Sequence, residues 1–145
     1  MTIRQATTDD LDQLSILFAK YREFYEQPFE PGAAKQFLKE RLIREESVVF
    51  IVMENEQQLG FTQLYPSFSS VRMKKIWILN DLFVSADHRQ KGVARSLITH
   101  VLEYSKATGR KKVVLSTAYD NINAQKLYEN LGFVREDFYN YEIAV

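Results

Sequence analysis

Two polar residues interrupt an apolar run in the middle of the chain and are its first candidates for chemistry. Between Ile76 and Val84 only Asn80 and Asp81 are polar, and such a run is typical of a strand buried on both faces. Alternation along a strand predicts that Leu79 and Asp81 share one face and that Asn80 points to the other. A buried carboxylate without a partner is costly, so Asp81 needs either a function or, as the simpler alternative, neighbouring backbone groups that satisfy it.

A basic turn follows this strand and offers an anion site. Gly92 lacks a Cβ, so a ligand can approach the backbone there. A helical pattern begins near Val93, and the free N–H groups and dipole of a helix N-terminus favour a phosphate. The alternative is a solvated helix cap. The candidate anion ligands are Arg89, Gln90, Lys91, Gly92, Val93, Ala94 and Arg95.

The composition sets limits on the class of protein. The chain has 145 residues, 46% of them hydrophobic, and we expect one domain over 1–145. The formal net charge is +0, so no overall field recruits nucleic acid or an anionic membrane. Cysteine is absent and neither histidine has a metal-ligand neighbour, so we expect no metal. Without a signal peptide or an apolar run of membrane length, the expected location is the cytoplasm.

The hydrophobic pattern predicts the element order β-α-α-β-β-β-α-β-α-β. An antiparallel meander in the middle is followed by strands joined through helices. This order indicates an α/β fold with a mixed sheet and helices on both faces. The predicted helices are 9–25, with Thr7 or Thr8 as its N-cap, 33–45, 93–108 and 122–130. The predicted strands are 3–6, 47–53, 59–65, 76–84 and 112–118, with one or two short strands in 133–145.

Two segments carry a resemblance to a known family. The segment from Arg89 to Ala94, RQKGVA, resembles the acetyl-CoA signature of the GNAT superfamily of N-acetyltransferases. The segment from Asn121 to Phe133, NINAQKLYENLGF, resembles that superfamily's second motif, and together they cover roughly residues 75 to 134. The stretch from Tyr21 to Pro28 and the sequence ILNDLFV also resemble, more weakly, the branch that contains the diamine acetyltransferases.

The resemblance implies a three-layer GNAT fold, whose mixed sheet is splayed open between the strands 76–84 and 112–118. It implies acetyl-CoA as the acetyl donor, with the pantetheine arm along the first of these strands and the pyrophosphate on the basic turn. Asn121 matches a position that contacts the cofactor arm. The cofactor-binding residues implied are Leu82, Phe83, Val84, the turn residues Arg89 to Arg95 named above, Asn121 and Ala124.

The chemistry implied is direct attack by a neutral amine on the thioester. Tyr128 matches the family residue that protonates the leaving sulfur. In the diamine acetyltransferases a Glu stands at the position of Asn80 and an Asp at that of Asp81, and Asn80 cannot take a proton. Three routes for the proton stay open: Asp81 acting through water, a less basic substrate amine, or a chain of solvent molecules.

The first two helices and the loop from Tyr65 to Phe68 are expected to line the acceptor pocket. Its candidate residues are Tyr21, Phe24, Tyr25 and Tyr65, although aromatic residues at helical spacing are more often part of a core.

Other functions and an assembly stay open. A non-catalytic acyl-CoA-binding module is one alternative, because Asn80 replaces the expected Glu. Acetylation of a protein lysine or N-terminus is another. The apolar residues from Phe138 to Tyr141 favour a homodimer.

Overall fold

The computed structural model describes residues 1–145 and divides into two compact units, Met1–Leu115 and Ser116–Val145. The first unit carries a sheet and three helices, and the second carries one helix. The strands are β1 (Thr2–Gln5), β2 (Val48–Glu54), β3 (Gln57–Ser69), β4 (Lys74–Val84) and β5 (Val113–Val114). The helices are α1 (Leu11–Phe24), α2 (Pro31–Ile43), α3 (Val93–Ala107) and α4 (Ile122–Asn130).

The strands form one mixed sheet in the order β1-β2-β3-β4-β5. The first four are antiparallel neighbours, and β5 runs parallel to β4. This last pairing covers only Trp77↔Val113 and Ile78↔Val114. From Leu79 to Val84 the edge of β4 that faces away from β3 therefore has no strand partner, and the predicted splayed mixed sheet is confirmed.

Helices cover both faces of the sheet. On one face, Phe18 of α1 lies 5.8 Å from Phe61 between ring centroids, within a buried cluster that also holds residues of α2 and β2. On the other face, Phe50 and Trp77 contact Tyr104 of α3. Apolar residues at i, i+3 and i+4 give α1 and α3 one buried stripe each, and the sheet lies between these two helices.

A capped 3₁₀ turn, Thr8–Asp10, precedes α1, so the α-helix begins at Leu11 and slightly later than the polar residues predict. Thr7 accepts a hydrogen bond from the backbone N–H of Asp9, and the Asp10 carboxylate accepts one from the N–H of Thr7. This capping box satisfies N–H groups of the 3₁₀ turn, whereas Asp10, the N-cap residue of α1, makes no side-chain cap to that helix. Arg4 of β1 forms an ion pair with the same carboxylate at 2.7 Å, so the cap also ties α1 to the first strand.

Three sequence expectations differ from the structure. Strand β3 continues to Ser69, so Tyr65 and Phe68 belong to a strand rather than a loop, because the hairpin turns only at 70–73. The strand expected over 112–118 is reduced to Val113–Val114. Residues 116–145, taken by themselves, hold α4 and no strand. A terminal strand needs a ladder partner, and this unit contains none.

Candidate active site

A β-bulge at Asn80 shapes the site. Gln63 of β3 pairs with Asp81 and Leu64 pairs with Leu79, which leaves Asn80 without a partner across the strands. Paired residues share a face, whereas consecutive residues alternate. Leu79 therefore lies on the α3 face and Asp81 on the face covered by α1 and α2. The prediction that Leu79 and Asp81 share a face is wrong, because one extra residue shifts the alternation.

The Asp81 carboxylate is buried and fully oriented by polar partners. Asp81 is only 6% exposed. Gln63 Nε2 donates to Oδ2 at 2.7 Å, and Asn80 Nδ2 donates to Oδ1 at 3.2 Å. The Thr62 hydroxyl donates to the Asp81 backbone carbonyl at 2.8 Å. Asn80 and Asp81 thus contact each other instead of facing apart, and side chains, not backbone groups, satisfy the carboxylate.

Two tyrosines stand near this carboxylate. Burial raises the pKa of Tyr21 well above the ordinary range of a phenol, and the negative charge of Asp81 raises it further. Burial, with a smaller contribution from Asp81, raises the pKa of Tyr65 to about 12, although the Arg41 charge opposes the shift. Both phenols are therefore protonated at neutral pH and serve as neutral hydrogen-bond donors.

The four acceptor-pocket candidates separate into two groups. Tyr21 and Tyr65 lie near Asp81, as described above. Tyr25 adjoins this group because its ring stands 5.2 Å from that of Tyr21. Phe24 is 63% exposed, and its one ring contact is with Tyr25 at 5.4 Å. Phe24 therefore lies outside the group around the carboxylate.

A cleft between α1 and α2 has a volume of about 300 Å³. Neither Asp81 nor Asn80 contributes to its walls, so the carboxylate cluster and not this cleft defines the candidate site. Its lining residues are Phe18, Arg22, Glu30, Ala33, Ala34 and Phe37.

The basic turn presents backbone N–H groups at the start of α3. Gln90 and Gly92 both have left-handed φ angles, of 60° and 79°, and such alternating turns form concave anion sites. Gly92 is the N-cap residue and offers no side-chain cap, so no N-cap side chain covers the N-terminus of α3, where backbone N–H groups favour an anion. Val93 is buried and anchors the helix start.

Arg89 has a role that the sequence did not predict. Its Nε donates to the backbone carbonyl of Val84 at 3.0 Å, and its guanidinium lies 5.4 Å from the centre of the Phe83 ring. Arg89 therefore fixes the basic turn against the end of β4.

The end of β4 presents an extended backbone edge. A Cβ on Gly60 of β3 would lie 2.7 Å from the backbone oxygen of Phe83, so only glycine allows this close approach. On the opposite side, Leu82 to Val84 have no strand partner. An unpaired strand edge that leads through Arg89 to an anion-binding turn fits the amide-bearing arm and the pyrophosphate of acetyl-CoA.

The second unit contains the other motif. The Asn121 side-chain oxygen accepts a hydrogen bond from the backbone N–H of Ala124 at 3.3 Å, which caps α4. The Tyr128 ring packs edge-on against Phe133 with 5.9 Å between ring centroids. Gly132 ends the helix with a φ of 100°. The motif therefore encodes a capped helix on which Tyr128 is held by Phe133.

Sequence reasoning missed Gln63, Thr62 and Gly60. A signal was present, because Thr62 and Gln63 interrupt the apolar sequence LGFTQLY much as Asn80 and Asp81 interrupt their own strand. Two polar pairs on adjacent central strands indicate that they satisfy each other. The register that joins Gln63 to Asp81 depends on the bulge, which sequence alternation does not reveal.

Metal-binding clusters and membrane-spanning helices are both absent from the structure. It brings together no group of three or more His, Cys, Asp or Glu side chains that could hold a metal ion. None of its helices has the length and apolar character needed to cross a membrane.

Comparison with known proteins identifies the family. The model of the Acetyltransferase (GNAT) family matches residues 14–133. The chain is 47% identical over 133 residues to the uncharacterized N-acetyltransferase YhfO of Bacillus subtilis (strain 168), covering 92% of this chain and 89% of YhfO. It is 31% identical to a probable acetyltransferase of Haemophilus influenzae, covering 92% and 90% of the two chains.

A solved structure agrees with the sequence relatives. The crystal structure of a probable acetyltransferase superposes with a TM-score of 0.93 at 43% identity, covering 100% of this chain and 98% of the other. The resemblance drawn from the two motifs is thereby confirmed. The chain belongs to the GNAT family of acetyltransferases and is an acyltransferase.

Proposed function

We propose that this enzyme transfers the acetyl group of acetyl-CoA to the amine of a small molecule, with Asp81 receiving the amine proton and Tyr128 acting as general acid. The observation that carries the proposal is the position of Asp81. It is a buried carboxylate with two amide donors, and it immediately precedes Leu82, where the unpaired edge of β4 continues toward the anion-binding turn.

Acetyl-CoA, when bound, supplies an activated acetyl thioester. The residues that would hold it are the β4 edge from Leu82 to Val84 and the turn from Arg89 to Arg95. Gly60 supports this assignment, because it lets β3 lie close against Phe83 and Val84. The cap residues Asn121 and Ala124 belong to the second motif and are proposed as further contacts from the family resemblance alone.

Removal of the amine proton is the main demand on the acceptor site. An amine with a pKa of about 10.4 costs roughly 4.6 kcal/mol to deprotonate at pH 7. The Asp81 oxygens accept one amide donor each, and Tyr21 hydrogen-bonds to the same carboxylate. An ionised carboxylate has about four acceptor directions, so Asp81 is able to take a proton directly or through a water molecule. Asn80 cannot take this proton, and in the proposal it orients Asp81.

Tyr128 is proposed as the acid that protonates the leaving sulfur. A phenol with a pKa of about 10 is a weaker acid than a thiol of about 8.5, so transfer to a free thiolate is uphill by roughly 2 kcal/mol. Concerted transfer removes so small a barrier. The support is its match to the family motif, together with its fixed packing against Phe133.

A small acceptor is supported by the confined surroundings of Asp81. The carboxylate is 6% exposed and lies near Tyr21 and Tyr65, which suits a slender primary amine better than a folded protein surface. We also propose a single functional domain over 1–145, a cytoplasmic location, and a homodimer that uses Phe138 to Tyr141.

An assay of thiol release tests the proposed function. The protein is incubated with acetyl-CoA and a panel of primary amines, and released CoA thiol and N-acetylated product are measured together. We expect equal amounts of both with at least one amine. Tyr128→Phe is expected to lower kcat while leaving the Kd of acetyl-CoA unchanged. Tight acetyl-CoA binding without thiol release for any amine would count against acetyl transfer.

A further inference from the structure

Gln63 of β3 is fully buried, and its side-chain amide makes its hydrogen bond to Asp81 of the candidate site. Its exposure is 0%, and its Nε2 donates to Asp81 Oδ2 at 2.7 Å. Its Oε1 has no hydrogen-bond partner, although a buried acceptor without a partner is destabilising. Gln63 uses only the end that meets Asp81.

The charge of the carboxylate explains the orientation of this amide. Turning the Gln63 amide by half a turn would place Oε1 against Asp81 Oδ2, and two acceptors repel each other. Asn80 supplies the second donor, to the other carboxylate oxygen at 3.2 Å. Both partners are neutral amides, so they stabilise the negative charge of Asp81 without cancelling it.

Other ionisable groups also face this position. Tyr21 from α1 and Tyr65 from β3 interact with the charge of Asp81, and Arg41 from α2 acts on Tyr65. The two phenols are neutral at pH 7 because burial keeps them protonated. Loss of the Gln63 amide would therefore not be made up by a cation in contact with Asp81.

We propose that Gln63 is a positioning residue of the acceptor site, whose amide donates to the Asp81 carboxylate and holds it in one orientation. In the reaction, a proton passes from the amine nitrogen to a carboxylate oxygen of Asp81 and then to solvent. Gln63 itself exchanges no proton. This inference rests on the proposed function.

The chain provides a matched control in the same strand. Gln58 is 5% exposed, and its Oε1 is also unpaired. Its Nε2 donates to the backbone oxygen of Asp10 at 3.0 Å, away from Asp81. Gln63→Met and Gln58→Met therefore remove the same buried amide from the same strand, and only the first removes a donor to the carboxylate.

The first test compares these variants in the pH dependence of kcat/KM, with the best amine of the panel. Gln63→Met is expected to lower kcat by at least about tenfold and to move the acid limb up by about one pH unit, because the charged carboxylate loses a donor. Gln58→Met is expected to keep the wild-type kcat and the wild-type position of the acid limb. Gln63→Met behaving like Gln58→Met would overturn the inference.

A second variant keeps the test valid if Gln63→Met does not fold. Gln63→Glu preserves the shape of the side chain and places a second carboxyl group beside Asp81. The acid limb of kcat/KM is expected to move to higher pH than in Gln63→Met, because two like charges disfavour each other. An acid limb at the wild-type pH in a folded Gln63→Glu protein would contradict the inference.

A spectroscopic test needs no amine. In proton–nitrogen NMR spectra, the Gln63 side-chain amide is assigned by its loss in Gln63→Met, and it is expected to shift with pH in the wild type but not in Asp81→Asn. Identical behaviour in both proteins would overturn the contact on which the inference rests. If the Gln63 amide signal depends on pH but no amine of the panel is acetylated, the proposed function is rejected. If amines are acetylated and Gln63→Met acts on them as the wild type does, only the inference about Gln63 is rejected.

Discussion

Leu79 and Asp81 lie two positions apart in β4, yet their side chains occupy opposite faces of the sheet. The cause is the bulge at Asn80, which adds one residue to β4 opposite the step from Gln63 to Leu64. Leu79 is left in the core below α3, and Asp81 is moved beside the aromatic residues of α1. The candidate acceptor site therefore depends on one irregular residue in an otherwise regular strand.

The left-handed glycine at the start of α3 gives the first prediction. Gly92→Ala and Gly109→Ala place alanine at φ angles of 79° and 71° at the two ends of the same helix. A Cβ at either position would have no other atom within 4 Å, so each variant is expected to lose about 1–2 kcal/mol through backbone strain alone. Urea unfolding measures this loss.

Acetyl-CoA binding should separate these two variants. Only Gly92 lies in the anion-binding turn, so Gly92→Ala is expected to raise the Kd of acetyl-CoA about tenfold, a change of about 1.4 kcal/mol. Gly109→Ala is expected to bind as the wild type does. Equal affinities in calorimetry would remove the pyrophosphate site from this turn.

The close approach of β3 to β4 gives the second prediction. In Gly60→Ala the new Cβ would meet the backbone of Phe83, which cannot move aside as a side chain can. We expect a loss of about 1–3 kcal/mol in stability, together with weaker acetyl-CoA binding, because the displaced Phe83 and Val84 belong to the proposed cofactor edge.

Gly32→Ala is the control for that variant. Gly32 lies in α2, and nothing is within 4 Å of its Cβ position, so alanine there is expected to stabilise the protein by about 0.5–1 kcal/mol. Wild-type stability and wild-type cofactor affinity in Gly60→Ala would show that β4 tolerates the displacement.

The shifted phenol of Tyr65 gives a prediction at alkaline pH. Its pKa is raised to about 12 in the folded protein, above the value of about 10 for an unfolded chain. The folded state thus holds the proton more tightly. The stabilisation is fully present below about pH 10 and is lost as pH rises toward the folded pKa.

A phenolate titration at 295 nm measures this effect. The chain has 8 tyrosines, and Tyr65→Phe is expected to remove one that ionises late, at about pH 12. The unfolding free energy of Tyr65→Phe should also fall less steeply above pH 10 than that of the wild type. Loss of an early-ionising tyrosine instead would mean that Asp81 and burial do not act on Tyr65.

Much of the fold follows from the sequence. Thr7, one of the two predicted N-cap residues, caps the 3₁₀ turn that leads into α1. Gly109 and Gly132 mark helix ends, and the apolar periodicity places four helices and the central strands near their observed positions. The turn before α3 was also predictable, because glycine and a helix start adjoin in the sequence.

The arrangement around Asp81 was less predictable. Periodicity assumes regular alternation, so it assigned Asp81 to the face of Leu79 and separated it from Asn80. The contact between Gln63 and Asp81 joins residues 18 positions apart and depends on the strand register, which a bulge resets. The extension of β3 past Pro66 was missed because proline in a sequence signals a turn. A strand includes proline where one edge is unpaired, and the pairing of β3 with β2 ends at Leu64.

Replacement of Asp81 tests the proposed mechanism most directly. Asp81→Asn keeps the size of the side chain and removes the group that receives the proton. With the best acceptor amine, we expect kcat/KM to fall at least 100-fold, in the range of roughly 10²–10⁴ that general acid–base groups contribute, while calorimetry gives an unchanged Kd for acetyl-CoA. Activity within about twofold of the wild type, with folding intact, would contradict the role of Asp81 and the acceptor site built around it.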